Sequence, residues 1–261
     1  MADIDISAYA NQVALADGTS NYKTGMYIYL EDVGNNGVNS ASIEGPGLPV
    51  GGATFSKSAT GNISNTRLAL DSSFIGFQQG GDSWGQLEMN DTQIGQMVTG
   101  IAGFGQYTLK FYSGTTVPTD RTTGLMQTIH PIIGATPVTN ATFTVTASNT
   151  AAMVSTWFPT ATISGLSHSM SSLTTMVMTM TSIPFTYTIP TAYAPAWMSS
   201  SIDLWQNNGT NNQYTSMDLA LNKTSGSMTT VVPSFTPTNA FLTMESEDSA
   251  RRYFRSIWVL Q

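Results

Sequence analysis

Gly105-Gln106-Tyr107-Thr108-Leu109-Lys110-Phe111-Tyr112 is the stretch that decides the fold class. Tyr107, Leu109 and Phe111 recur at period two, so an extended strand puts them on one face and a helix would scatter them. The glycine-rich run before it, Gly100-Ile101-Ala102-Gly103-Phe104-Gly105, leads into this strand and not into a helix. It therefore lacks the helix N-terminus that holds phosphate, and reads as a loop.

Working outward, the same pattern returns. Upstream, Gly25-Met26-Tyr27-Ile28-Tyr29-Leu30-Glu31 is short and aromatic-rich, and ends at Asp32-Val33-Gly34-Asn35-Asn36-Gly37, residues suited to a turn. Residues 38–44 partly alternate and stop at Gly45-Pro46-Gly47-Leu48-Pro49, so the pair 25–31 and 38–44 reads as a β-hairpin. Residues 53–55, 66–70, 73–77 and 142–146 are further strands. In the second half, 176–180, 185–189, 201–205, 217–221, 228–232, 241–244 and 254–260 follow, with turn signals every 8–12 residues, the spacing of a β-sandwich. Helix signals are weak. Residues 91–98 are expected to form one or two turns, because Ile94, Met97 and Val98 fall on one face; residues 167–175 read as a helical turn or a loop. The expectation is an all-β chain of two tandem antiparallel β-sandwich domains, 21–154 and 155–261, preceded by an N-terminal strand or arm, 1–20. Within that arm Asp3-Ile4-Asp5-Ile6 alternates. It serves either as an intramolecular first strand or as a strand added to another copy's sheet.

Composition narrows the function. The 261 residues hold 9 Lys+Arg and 16 Asp+Glu, so charged residues are 10% where about 25% is usual. Ser and Thr total 67. From Arg121 to Lys223 the only charged side chains between are Asp203 and Asp218. Hydroxyls, amides and glycine must cover that surface, and little like-charge repulsion separates copies. A net charge of −7 argues against nucleic acid, and no run of apolar residues is long enough for a membrane span. Zero cysteine removes disulfides, thiol nucleophiles and cysteine-ligated metal. Asp3 and Asp5 follow Met1 with neither a basic nor an apolar leader region, so Met1 is expected to begin a mature-chain numbering of an exported protein.

Two segments carry a resemblance. Asp32…Gly34-Asn35…Ala41-Ser42-Ile43…Gly45-Pro46-Gly47-Leu48-Pro49, and the tail from Leu242 through Glu245, Glu247, Asp248, Arg251, Arg252 and Arg255 to Trp258, resemble parts of bacterial exported or surface proteins. Those proteins carry immunoglobulin-like or fibronectin-type-III-like β-sandwich domains. The resemblance covers about forty residues and implies a surface or extracellular location, with no catalytic residue to carry over; the tail would be the last hairpin of such a module.

Chemistry-bearing residues are few. The histidines are His130, in the apolar run Thr128-Ile129-His130-Pro131-Ile132-Ile133, and His168, in Ser167-His168-Ser169. No His-Glu-x-x-His or P-loop occurs, no catalytic residue is assigned, and the chain is not expected to be an enzyme. No cofactor motif is present. Calcium is the one ion with candidate donors, at Asp32 and at Glu245, Glu247 and Asp248; an arginine across the hairpin is the competing partner of the last three. Trp84, Tyr193, Trp197 and Trp205 stand beside glycine, proline or asparagine, where rings stack on sugar faces and amides read hydroxyls. The same rings also suit a core, as expected for Trp258. The leading expectation is a non-enzymatic exported structural or adhesive protein, self-associating or gripping a surface partner. A carbohydrate-binding module that takes a glycan, and a viral or phage capsid or tail protein, are the alternatives.

Overall fold

A computed structural model describes residues 3–14, 20–58, 66–71, 86–88, 90–99, 105–133, 155–166, 170–206 and 211–260. The first-half strands are β1 (Asp3–Ala14), β2 (Ser20–Glu31), β3 (Ser40–Glu44), β4 (Ala53–Ser56), β5 (Ala69–Leu70), β6 (Gln86–Glu88), β7 (Gly105–Gln106), β8 (Thr108–Tyr112), β9 (Leu125–Ile129) and β10 (Ile132–Ile133), with helix α1 (Asp91–Thr99) between β6 and β7. The second half holds β11 (Thr160–Thr162), α2 (Met170–Thr179), β12 (Ser182–Thr188), β13 (Pro195–Trp205), β14 (Asn212–Asp218), β15 (Ser225–Thr229), β16 (Asn239–Asp248) and β17 (Arg252–Leu260). The chain is thus mostly β with little helix. Its sheets run β14-β13-β16-β17-β1-β2-β6, β5-β4-β3-β8-β9, β11-β12-β15 and β10-β7.

Two compact units share the chain: residues 1–9 with 24–140, and residues 10–23 with 141–261. The segment 1–20, expected as a strand or arm, supplies β1, an interior strand between β17 and β2. Its role is the intramolecular one, and the alternating residues 3–6 are not a free strand for another copy. The expected domain boundary at 154/155 compares with a division at 140/141.

In the first unit one apolar cluster joins both sheets. Met26, Ile28 and Leu30 of β2 and Leu87 of β6 pack with Ala41 and Ile43 of β3, Phe55 of β4, and Leu109 and Phe111 of β8. Tyr107, Leu109 and Phe111 are fully buried, as their period-two spacing predicts. Tyr107 donates its hydroxyl to the Pro46 carbonyl at 2.8 Å. A β-carbon on Gly45 would lie 2.1 Å from the Tyr107 ring, so only glycine lets the strand end pass it.

The expected hairpin of 25–31 with 38–44 is corrected here. β2 and β3 lie in different sheets: β2 lies between β1 and β6, whereas β3 pairs with β4 and β8. The reason is Asp32. Its buried carboxylate accepts hydrogen bonds from the Asn36 backbone at 2.9 Å, the Asn36 amide at 3.0 Å and the Val38 backbone at 3.2 Å, and pairs with Lys57 Nζ at 3.2 Å. The turn residues wind around one carboxylate and hand the chain from one sheet to the other.

The second unit buries Met198, Ile202 and Leu204 of β13, Leu242 and Met244 of β16, and Trp258 and Leu260 of β17. Against them lie Ile183, Phe185 and Tyr187 of β12, Met228 of β15, and Leu173 and Val177 of α2. Trp258 is in the core, as expected. Residues 176–180 are not a strand. They belong largely to α2, where Leu173 and Val177 are four apart on one buried face, and Thr175 and Thr179 satisfy their hydroxyls on the carbonyls one turn back. The expected strands at 217–221 and 228–232 are displaced toward the N-terminus, to β14 and β15. The expected strands at 73–77 and 142–146 lie outside the described residues.

Candidate functional site

Side chains along β13 point alternately to its two faces, and residues 198–202 are buried on both. Met198, Ile202 and Leu204 face the core of the second unit, so Trp197, Ser199, Ser201, Asp203 and Trp205 line the other face. Register extends that face across three neighbours. Asn212, Tyr214, Ser216 and Asp218 of β14 stand opposite Trp205, Asp203, Ser201 and Ser199. On the other side Asn239, Phe241, Thr243, Glu245 and Glu247 of β16 stand opposite Trp205, Asp203, Ser201, Ser199 and Trp197. Val259, Ile257, Arg255 and Tyr253 of β17 complete it. The two tryptophans sit eight residues apart on one strand, ~27 Å at ~3.4 Å per residue.

This surface mixes rings with hydroxyls and amides. Tyr214 is 60% exposed, while Ser199 and Ser201 lie buried between their larger neighbours. Trp197 is held by its indole N–H, which donates to Asp218 at 2.9 Å. Trp205 is flanked across both strands by Asn212 and Asn239. Part of the charge on the face is paired: Arg255 bonds Glu245, and Ser199 donates to Glu245 at 3.4 Å.

Tyr193 is not part of this face. It stacks on Phe254 with ring centroids 4.4 Å apart, beside Trp157, and its hydroxyl bonds Ser246 at 2.5 Å. Phe254 and Ser246 belong to the core-side positions of β17 and β16. Burial pushes the Tyr193 hydroxyl pKa up. The structure thus brings Trp197 and Trp205 together on one strand and puts Tyr193 on the opposite side of the sheet, while Trp84 lies outside the described residues. Tyr214, Phe241 and Tyr253 escaped the sequence reading, and the only signal for them was their spacing against β13.

The calcium candidates are each held by a cation. Arg251 is 3.4 Å from Glu247, Arg252 is 2.7 Å from Asp248, and Arg255 faces Glu245 across the β16–β17 hairpin. Lys57 takes Asp32. Among the described residues no three acidic or histidine side chains gather as a metal site. His130 is exposed, with its ring nitrogen 3.4 Å from the Thr108 hydroxyl; His168 lies outside the described residues.

Two further features of the second unit are mostly uncharged. The exposed face of β11-β12-β15 is an array of Thr160, Thr162, Ser182, Thr186, Thr188, Ser225, Ser227 and Thr229 around Pro184. A mostly apolar recess of about 210 Å³ lies between Ile163 and Leu166 on one side and Leu242, Trp258 and Leu260 on the other.

No protein-family model matches the chain, and no curated protein matches it significantly. Among solved structures, a crystal structure of a tetra-tandem repeat in the extending region of a large adhesion protein aligns with the whole chain at 10% identity and a TM-score of 0.25. The chain spans 50% of that protein's length in the crystal.

Proposed function

We propose that this protein is a non-enzymatic structural or adhesive unit that works outside the cell or on its surface, built from two β-sandwich modules. The observation that supports this reading is the face of β14-β13-β16-β17 away from the core of the second unit, exposed along β14 and partly buried along the other three strands. It is a broad, twisted sheet surface bearing Trp197, Trp205, Tyr214, Phe241 and Tyr253 among hydroxyls and amides, with Glu245 neutralised by Arg255. Rings on a rigid sheet bury much area at little entropic cost. Such a face grips a neutral surface and does not need reactive groups.

A second reading, carbohydrate binding, is favoured by one arrangement. Trp205 lies between Asn212 and Asn239, with exposed Tyr214 one position along the face. A sugar ring would stack on the indole while the amides meet its hydroxyls.

The test is binding of the full chain to a glycan array and to immobilised cell-surface material, beside Trp205→Ala and Tyr214→Ala. Adhesion reduced about tenfold by either change, without a glycan signal, supports the adhesive reading. A glycan signal lost with Trp205→Ala supports the second. Adhesion that neither substitution alters removes this face from the function.

A further inference from the structure

We propose that Asn36 is a site of spontaneous deamidation, and that its conversion to aspartate or isoaspartate undoes the corner that Asp32 holds between the two sheets of the first unit. The inference does not depend on what the protein binds.

The corner places an exposed amide beside an unhindered backbone nitrogen. Asn36 and Gly37 are both exposed, and Asn36 is the only asparagine among the described residues that precedes a glycine. Gly37 has no side chain to shield its nitrogen, and a β-carbon built on it meets nothing within 4 Å, so the approach is open. The other amides of the turn are occupied. Asn35 N donates to the Asp32 carbonyl, and Asn36 N and Val38 N donate to the Asp32 carboxylate. The Gly37 N–H has no acceptor among the described residues, so no hydrogen bond retains its proton.

Neighbouring asparagines lack this combination. Asn35 is followed by the side chain of Asn36, and Asn39 has its amide tied to the Ser113 carbonyl at 2.7 Å. Asn90 caps α1, with its side-chain oxygen accepting from Gln93 N at 2.9 Å.

The reaction needs only water. Hydroxide takes the Gly37 amide proton, and the nitrogen attacks Asn36 Cγ. The N–Cγ bond forms, the Cγ–Nδ2 bond breaks, and Nδ2 leaves as ammonia with a proton from water. The cyclic succinimide then adds water at either carbonyl. One opening gives aspartate. The other gives isoaspartate, in which the chain runs through Cγ and gains a backbone carbon. Nothing is oxidised or reduced.

Either product weakens the hold on Asp32. Asn36 Nδ2 donates to Asp32 Oδ1 at 3.0 Å. In aspartate that donor becomes a carboxylate oxygen facing the buried Asp32 carboxylate, and like charges repel. In isoaspartate the added carbon lengthens the path between the N–H groups of residues 36 and 38, which grip the two Asp32 oxygens. The bond from Asn36 Nδ2 must open before Cγ reaches Gly37, so the folded chain is expected to convert about tenfold more slowly than the unfolded one.

The experiment incubates the full chain in mildly alkaline buffer, with and without urea, and follows its peptides by mass spectrometry and an isoaspartate assay. The expected result is conversion of Asn36 in the folded chain, within about tenfold of its rate in urea and faster as pH rises. Asn208-Gly209, the other Asn-Gly pair of the chain, is mapped separately. Urea denaturation reads the consequence. Converted parent, and Asn36→Asp prepared directly, are each expected to show a folded-to-unfolded ratio at least tenfold below the fresh parent. Asn36→Ser is expected to keep its stability through the same incubation. An amide retained at residue 36 of the folded chain after the unfolded chain has converted overturns the site. Converted parent or Asn36→Asp as stable as the fresh parent, or an Asn36→Ser chain that loses stability alongside the parent, overturns the effect on the corner.

Discussion

Asp32 shows how much one side chain directs. Burial opposes its ionisation, but hydrogen bonds from Asn36 and the ammonium of Lys57 outweigh that and hold its pKa below the ordinary value. A depressed native pKa means that the unfolded chain takes up the proton first as acid is added. The stabilisation is therefore complete above about pH 4, the unfolded aspartate value, and fades as pH falls toward the lower native pKa. Asp32→Asn is expected to cost about 2–3 kcal/mol at neutral pH, since it leaves Lys57 and the turn amides with a weaker acceptor. Urea denaturation would show the gap from the parent narrowing as the pH falls below about 4. A gap that stays constant across that range would mean that the carboxylate's charge does not hold the corner. The residues of this turn were legible from sequence as a turn. Their consequence was not, because the spacing of turn residues does not tell whether the chain doubles back on its own strand or crosses to another sheet. The tryptophans carry a similar lesson. Tyr193 and Trp197 are four residues apart and equally promising in sequence, yet they end on opposite sides of one sheet.

Among the elements, α2 is where local pattern and environment diverge. Met176-Val177-Met178-Thr179-Met180 has the β-branched, alternating look of a strand, and nothing in it marks a helix. The helix exists because Leu173 and Val177 fill the second core, and tertiary packing overrides weak propensity. Leu173 is fully buried. Leu173→Ala is thus expected to destabilise the protein by about 3 kcal/mol, in the range for leucine truncation in a core. Met178→Ala, at an exposed position of the same helix, is expected to cost under about 0.5 kcal/mol. Thermal denaturation of the pair checks the face: similar losses at both positions would contradict a helix docked through Leu173. Strand β8 behaved in the opposite way. Its period-two aromatics declared both element and buried face, because on a half-buried strand the pattern and the environment are the same fact. The arginine partners of Glu245 and Asp248 were legible for a related reason, since a hairpin brings sequence neighbours together. The face of β13 with β14 and β16 was not, because it depends on register between segments whose order in the sheet no local signal fixes.

Across the whole molecule, the division into two units cuts the chain at 9/10, 23/24 and 140/141. Strands β1 and β2 each contribute to both units: Ile4 and Ile6 pack on the first core, and Ala14 belongs to the second. In the second unit Gln12 donates to the Ser256 hydroxyl at 2.8 Å, and Ser256 in turn bonds the Pro159 carbonyl. A fragment of residues 141–261 lacks those strand ends. It is expected to show little cooperative thermal unfolding, whereas adding a peptide of residues 1–31 restores part of it. A fragment that melts as sharply as the intact chain would show that residues 10–23 are dispensable to that unit.

The shared pair of strands also bears on ancestry and engineering. A gene encoding this chain cannot donate either half by a single crossover, because each half is stitched from two separate stretches. Exchange of modules with other proteins would have to move the opening thirty codons along with whichever part it takes, so the two halves are bound to travel and diverge together.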